Sequence, residues 1–345
     1  MDRVSLQQKL EQHFRWFHQH PEPGNGEIET TARIREILHE AGIEVLDTGL
    51  KTGLVARIPG TGRFPRDGAA PGTKTGKPVI ALRCDIDALP LTECSGLSYA
   101  SQRPGFMHAC GHDFHLTALL GAALLLSEEG EELAGTVKLL FQPAEEGGGG
   151  AKQVLDTHVL DDVDEIYGLH VSPETAPGII GVSPGPTHAA VGAFKIVVTG
   201  RGGHAARPQD TLDPIPAAAW LVGAAQTIVS RNTDPFDNSV VSFTRLEAGS
   251  TWNVIPETAL LEGTFRAFTD EKLARTGRRL EEFCRGAAES FGLRIDFDWT
   301  MNTSAVDNDP ALSKFTAETA ESLGFSVVPC TPGMGGEDFA LYQKR

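Results

Sequence analysis

At 345 residues the chain is long for one hydrophobic core, and two domains are the natural expectation. An apolar fraction of 40% and a charged fraction of 22% fit a soluble globular protein, and 30 basic against 46 acidic residues give a formal charge of −16, spread along the chain with no acidic tail. That balance argues against nucleic acid or an anionic membrane as partner, and the sequence shows neither a signal-peptide pattern nor an apolar run able to span a bilayer, so a cytoplasmic protein is expected.

Val4, Leu10, Phe14 and Phe17 recur at near-helical spacing and predict a first helix that stops at the Pro21-Glu22-Pro23-Gly24 turn. His13, His18 and His20, on or just after that helix, read as surface or packing residues. A second helix carries Ile34, Ile37, Leu38 and Ala41 and ends at Gly42, which suits a C-terminal cap. Residues 53–58 form a short apolar segment, and the Gly/Pro/Thr-rich stretch 59–77 is expected to be a mobile loop. Residues 78–83 read as a buried strand running into Cys84-Asp85-Ile86-Asp87. The run 116–126 is apolar on every side and too long for an ordinary strand, so it predicts a buried helix. Strands follow at 136–141, ending in Gln142-Pro143-Ala144-Glu145-Glu146 and four glycines, and at 165–169, ending at His170. Strands alternating with helices predict an α/β domain, a mostly parallel sheet covered by helices, whose ligands bind beyond the carboxyl ends of the strands. Asp85, Asp87, Glu145, Glu146 and His170 all follow strands directly and are candidates to meet.

Near Ala190 the pattern changes. Residues 194–199 alternate as a half-exposed strand should, Gly202-Gly203-His204 makes a turn, 214–229 is an amphipathic helix, 240–246 and 259–268 are strands, and 271–291 is a long charged helix. These elements predict an α+β sandwich over 190–301, inserted into a first domain made of 1–189 and 302–345. The final segment carries a helix over 310–323 and Gly336-Glu337-Asp338-Phe339, and no solenoid repeat is apparent.

The densest chemistry lies at His108-Ala109-Cys110-Gly111-His112-Asp113-Phe114-His115. Eleven histidines in 345 residues make three within eight positions, beside a cysteine, a marked excess with the composition of a metal site. The stretch sits at the start of the predicted buried helix, where the dipole favours a thiolate over a thiol. Cys110 and His112 are two positions apart and would point to different faces of a regular helix, so convergence on one ion requires non-helical backbone before the first turn. Five scattered cysteines, an odd number, argue against a disulfide framework. Cys110, His112, one of Glu145 or Glu146, and His170 supply a thiolate, two imidazoles and a carboxylate. That set suits Zn²⁺ first, with Mn²⁺, Co²⁺ or Ni²⁺ as alternatives. In the Glu145-Glu146 pair one carboxylate binds metal while its neighbour takes a proton from metal-activated water; the alternative is a solvated acidic turn. Asp85, Asp87 and Asp113 are candidates to orient the imidazoles or to cap a helix, and His108 and His115 are read as structural.

These motifs, in this order, resemble the metal-dependent amidohydrolases that include aminoacylases, hippurate hydrolases and indoleacetyl-amino-acid hydrolases, related to glutamate-releasing zinc carboxypeptidases. The resemblance rests on Leu82 to Pro90, Met107 to Asp113, Phe141 to Glu146, Gly168-Leu169-His170, Gly202 to Ala206, Asn253 to Pro256 and Gly336 to Phe339. It implies a zinc-exopeptidase-like catalytic domain with two divalent ions, Cys110, His112, Glu146 and His170 as ligands and Glu145 as general base. It further implies that the inserted domain is a lid and homodimerisation module, with His204 stabilising the oxyanion, reaching the neighbouring subunit's site, and Asn253 and Arg266 contacting substrate. From residue chemistry alone, His204 reads equally as a turn residue and Arg266 as an ordinary strand cation. The expected reaction is hydrolysis of an N-acyl amino acid to a carboxylic acid and an amino acid; the nearest rival is a dipeptidase or carboxypeptidase. Two departures stand out. The family pattern has a further histidine ligand beyond the Gly-Glu-Asp-Phe motif, whereas no histidine follows His204 here. The second metal site is therefore expected to be incomplete, in a truncated chain or in a catalytically impaired relative that binds acyl-amino acids. Phe114 stands where the family usually has glycine and is expected to narrow the pocket.

Overall fold

The computed structural model describes residues 3–62, 77–130 and 132–345, so most of the loop expected over 59–77 lies outside the described residues. The chain forms two compact units, one ending at Glu174 and also taking in Arg345, the other spanning Thr175–Lys344.

The first unit contains α1 (Arg3–Gln19), α2 (Ile28–Glu40), β1 (Glu44–Val45), β2 (Leu54–Ile58), β3 (Val79–Asp85), α3 (His112–Glu128), β4 (Thr136–Gln142), α4 (Gly150–Asp156) and β5 (Glu165–Gly168). Its five strands stand in the order β1-β2-β4-β3-β5. β3 runs parallel to both β4 and β5, whereas β1 and β2 join antiparallel at the other edge. The sheet is therefore mixed, and its parallel part is the half that carries the acidic and histidine-bearing strand ends. Register places Asp85 opposite Gln142 and Arg83 opposite Gly168, so the segments after β3, β4 and β5 leave the sheet on the same side. Phe17, Ile34, Leu38, Leu54, Ile86, Leu116, Leu120, Leu139 and Phe141 are the largest fully buried members of the core between helices and sheet. α3 is buried along most of its length because its sequence offers water no continuous polar face.

The second unit contains β6 (Ile179–Gly181), β7 (Gly185–His188), β8 (Ala190–Thr199), β9 (Gly203–His204), α5 (Pro214–Asn232), β10 (Ser239–Ala248), β11 (Val254–Ile255), β12 (Thr258–Ala267), α6 (Asp270–Phe291), β13 (Arg294–Thr303), β14 (Val306–Asn308), α7 (Pro310–Ser322), β15 (Ser326–Val328) and α8 (Ala340–Gln343). Its main sheet is antiparallel, in the order β10-β12-β8-β13, and shares one core with α5 and α6. Along β8 the residues Phe194, Ile196 and Val198 are buried while Ala193 and Lys195 are exposed, the period of two that a one-sided sheet requires. This sheet and its two helices occupy the segment over which an α+β sandwich is expected, within a unit that runs over Thr175–Lys344. The flanking segments group differently from the sequence expectation: 175–189 and 302–344 fall in the second unit, because β14 pairs with β7 and β15 pairs with β6. Among the described residues no helix is long and apolar enough to cross a membrane.

Two aromatic rings lie over glycines in this sheet. Phe194 stands opposite Gly263, and Phe265 stands opposite Gly192. A Cβ added at Gly263 would lie 2.4 Å from the Phe194 ring and 2.2 Å from the Ser242 carbonyl oxygen, and one at Gly192 would lie 2.4 Å from Phe265. The glycines are there for space. Gly263→Ala is expected to destabilise the second unit by about 1–3 kcal/mol through overpacking, read as a lower urea midpoint for its unfolding transition; an unchanged midpoint would mean the rings move aside at no cost.

Candidate active site

The site is assembled at the start of α3 and the ends of β3, β4 and β5. Gly111 caps α3 in the left-handed conformation, φ 85°. A side chain there would meet Val171 at 2.5 Å, so the turn that sets Cys110 just outside the helix and His112 just inside it requires glycine. This is the non-helical backbone that the Cys110–His112 spacing demands.

One potential ligand atom each from Cys110, His112 and His170 lie within 4.8 Å of one another, and the same holds for His112, Glu145 and Glu146. His112 belongs to both groups. Cys110 Sγ is 3.4 Å from His170 Nε2, while His170 Nδ1–H donates to the Val171 carbonyl at 2.7 Å, which turns Nε2 toward the sulfur. Glu145 is half-buried and Glu146 exposed. They leave β4 through Ala144, a buried residue held at φ 51°, where an alanine is strained. The strain is held by hydrogen bonds: the Ala144 N–H donates to Glu27 Oε1 at 2.7 Å and its carbonyl accepts from Gly150 N–H at 3.1 Å. Glu27 is fully buried, and burial raises its pKa.

Asp87 organises the centre. Its Oδ1 accepts from His112 Nδ1–H at 3.2 Å, and its Oδ2 accepts from the Glu146 backbone N–H at 3.0 Å. One carboxylate therefore fixes both an imidazole and the glutamate turn. With Nδ1 donating to Asp87, His112 Nε2 is left buried and without a hydrogen-bond partner, 3.7 Å from Asp85 Oδ2. A buried nitrogen of that kind is costly unless a cation or a proton occupies it. Burial opposes a proton on His112, but Asp87, then Cys110 and Asp85, outweigh it and push its pKa up to about 12. The neighbouring His112 and His170 imidazoles hold the Cys110 thiol below its ordinary range, and Cys110 in turn pushes His170 up to about 9. These groups form a thiolate, imidazole and carboxylate set in which positive charge is strongly favoured.

Asp85 and His115 form the layer beneath. Burial alone would raise the Asp85 pKa, but Arg83, 2.9 Å away, together with His115 and His112 holds its carboxyl far below the usual carboxylate range. His115 Nδ1–H donates to Asp85 Oδ1 at 2.6 Å and its Nε2 accepts from the Val171 N–H at 2.9 Å. Both its ring nitrogens are committed, which supports the structural reading of His115. His108 is buried with neither ring nitrogen hydrogen-bonded, and burial pushes its pKa down to about 4, so it is a neutral ring. Phe114, in the first turn of α3, is 49% exposed.

His18 is the main surprise of the first unit. It lies buried in α1, with Nδ1 2.6 Å from Asp113 Oδ2 and Nε2 3.2 Å from Glu93 Oε1. It joins the first helix to the residue after His112, a role that the spacing of α1 gives no sign of. In the second unit, His204 and Asn253 come together through the β9–β11 pair: the Ala205 N–H donates to the Asn253 carbonyl at 3.1 Å, and His204 Nδ1 accepts from Ala206 N–H at 3.1 Å. Arg266, in the main sheet, donates to Thr264 Oγ1 at 2.6 Å, and burial lowers its pKa.

The Asp113 hydrogen bond raises the His18 pKa above 6.5, with a further contribution from Glu93 against the opposing effect of burial. A raised histidine stabilises the fold fully below its unfolded value near 6.5, and that stabilisation is lost as pH rises through the folded value. In chelator-treated protein, the melting temperature of the wild type should therefore fall more between about pH 6 and pH 9 than that of His18→Gln. Parallel curves for the two proteins would show that His18 carries no proton across this range.

Residues 81–345 match the sequence signature of Peptidase family M20/M25/M40. The chain is 44% identical over 329 residues to the N-acetylcysteine deacetylase of Bacillus subtilis, covering 95% of this chain and 83% of that protein. It is 40% identical over 336 residues to the IAA-amino acid hydrolase ILR1-like 4 of Arabidopsis thaliana, covering 96% of this chain and 73% of that protein. Among solved structures, the Bacillus subtilis YXEP protein, described as a dinuclear metal binding peptidase from the M20 family, superimposes with a TM-score of 0.87 at 39% identity, covering 100% of this chain and 87% of that one.

Proposed function

The chain belongs to peptidase family M20/M25/M40, and from that membership and the cluster at the strand ends we propose that it hydrolyses the amide bond of N-acyl amino acids, releasing a carboxylic acid and an amino acid. The observation that carries this reading is the buried His112, aligned by Asp87, its Nε2 without a hydrogen-bond partner, grouped with a thiolate-prone cysteine, a second imidazole and two glutamates. Relatives named for cleavage of acetylcysteine and of indoleacetyl-amino acids support the substrate class.

The donor set suits divalent metal, Zn²⁺ first by its sulfur and nitrogen content, with Mn²⁺, Co²⁺ or Ni²⁺ as alternatives, and the second ion of the pair would sit in a site that lacks the further histidine. Cys110, His112, Glu146 and His170 are the proposed ligands. Such ions, when bound, supply Lewis acidity that activates water and polarises the amide carbonyl. Asp87 holds the His112 tautomer and, through the Glu146 N–H, the position of the glutamate turn. Glu145 takes a proton from the attacking water on its carboxylate and returns it to the leaving amine nitrogen. The sandwich over 190–301 is proposed as the lid and homodimerisation module, with the His204 imidazole stabilising the carbonyl oxygen as it gains charge and Asn253 and Arg266 holding the substrate.

Glu145→Gln should lower kcat for acetyl- and benzoyl-amino acids by about 10²-fold or more while leaving metal content unchanged. A panel of N-acylated amino acids against free dipeptides reads the substrate class in the same assay. Preference for free dipeptides would replace the proposal with a dipeptidase, absence of wild-type turnover would identify an acyl-amino-acid-binding relative without catalysis, and equal measurable turnover in Glu145→Gln would remove Glu145 as the base.

A further inference from the structure

The second unit carries a concentration of positive charge that the proposed hydrolysis does not use. Where the end of α5 meets the first half of α6, a cavity of about 480 Å³ is lined by Arg231, Lys272, Arg275, Arg278 and Arg279, with Asp237 and Glu282 as its only acidic residues. Five cations against two carboxylates stand out in a chain whose formal charge is −16. Both carboxylates are already engaged, Asp237 with Lys272 at 2.5 Å and Glu282 with Arg279. Among the described residues no carboxylate pairs with Arg231, Arg275 or Arg278, and all three are exposed.

Helix geometry makes this arrangement costly as it stands. Lys272, Arg275 and Arg279 fall at i, i+3 and i+7, a single stripe along α6, with Arg278 beside them, while Leu273, Thr276, Gly277 and Leu280 on the other side are buried. Like charges three and four positions apart repel. Capping of α5 accounts for part of the set: Arg275 donates to the Asn232 carbonyl at 3.1 Å, and Arg279 Nε donates to Asn232 Oδ1 at 3.1 Å. Each guanidinium has five N–H donors, so most of the donor capacity remains. The hydroxyl-bearing side chains of Thr233 and Ser239 also line the space.

We propose that this cavity binds a small, multiply charged anion of the organic-phosphate class. Its volume lies within the range of small-molecule sites, and planar guanidinium forks suit phosphate oxygens better than a single carboxylate. Several negative charges are needed to offset the three arginines that pair with no carboxylate, which favours a bisphosphate over a simple carboxylic acid.

The test is a calorimetric titration of the full chain with fructose 1,6-bisphosphate at low ionic strength, with fructose as the neutral control. Saturable binding is expected for the bisphosphate alone, weakening as salt is added. Arg231→Ala/Arg278→Ala, two exposed substitutions, should weaken it at least tenfold, whereas Lys152→Ala/Lys314→Ala, which removes as much charge elsewhere, should leave it unchanged. Absence of binding, or equal affinity in the wild type and the arginine variant, overturns the proposal. The readout is binding, so it stands or falls separately from the hydrolytic activity.

Discussion

Asp87 reaches in two directions, and most of the candidate site depends on that. Through one oxygen it receives the His112 Nδ1 hydrogen; through the other it receives the Glu146 backbone hydrogen. The first contact leaves the buried His112 Nε2 without a hydrogen-bond partner, and the second fixes the turn that carries Glu145 and Glu146, which offer ligand atoms within 4.8 Å of one on His112. A carboxylate can do both because it accepts on two oxygens and donates on neither. An asparagine in its place would offer one acceptor and one donor, and one of the two contacts would be lost.

The parallel half of the sheet makes the convergence geometrically natural. β3 lies between β4 and β5 and runs with both, so Asp85 and Asp87, Glu145 and Glu146, and His170 emerge at the same end of the sheet. α3 begins there, with Cys110 and His112 on either side of a left-handed glycine. The layer beneath is electrostatically closed: Arg83 holds Asp85, Asp85 holds His115, and the Val171 N–H holds the other side of His115. That chain of bonds also fixes the backbone just after His170. The resulting picture is a rigid base of paired charges under an upper layer whose donors remain available.

Much of this was legible in the sequence because strand ends and helix starts are marked by local pattern. The apolar segments before Asp85, Glu145 and His170 announced strands, and an apolar run after His112 announced a buried helix. What pattern could not show were contacts made at long range by ordinary-looking residues. His18 sits on an amphipathic helix with nothing to distinguish it from His13, yet it spans 95 positions to Asp113. Glu27 is an acidic residue just ahead of a helix, and its contact with the strained Ala144 crosses 117 positions. The expected return of 302–345 to the first domain rested on the order of elements. The pairings of β14 and β15 involve three residues each, too few to leave a period in the sequence. Within the sandwich, by contrast, the alternation of β8 and the long stripe of α6 were visible; α6 formed close to the expected bounds, whereas β8 begins at Ala190, four residues before the expected start.

The central claim is that the Cys110 sulfur and the His112 imidazole hold the same cation. Replacing the native metal with Co²⁺ and recording the absorption spectrum tests it most directly, since a thiolate bound to cobalt gives an intense near-ultraviolet charge-transfer band. The account predicts that band in the wild type and its loss in Cys110→Ser, with cobalt still bound by the remaining ligands. A cobalt-loaded wild type without the band, or a band that survives in Cys110→Ser, would contradict it.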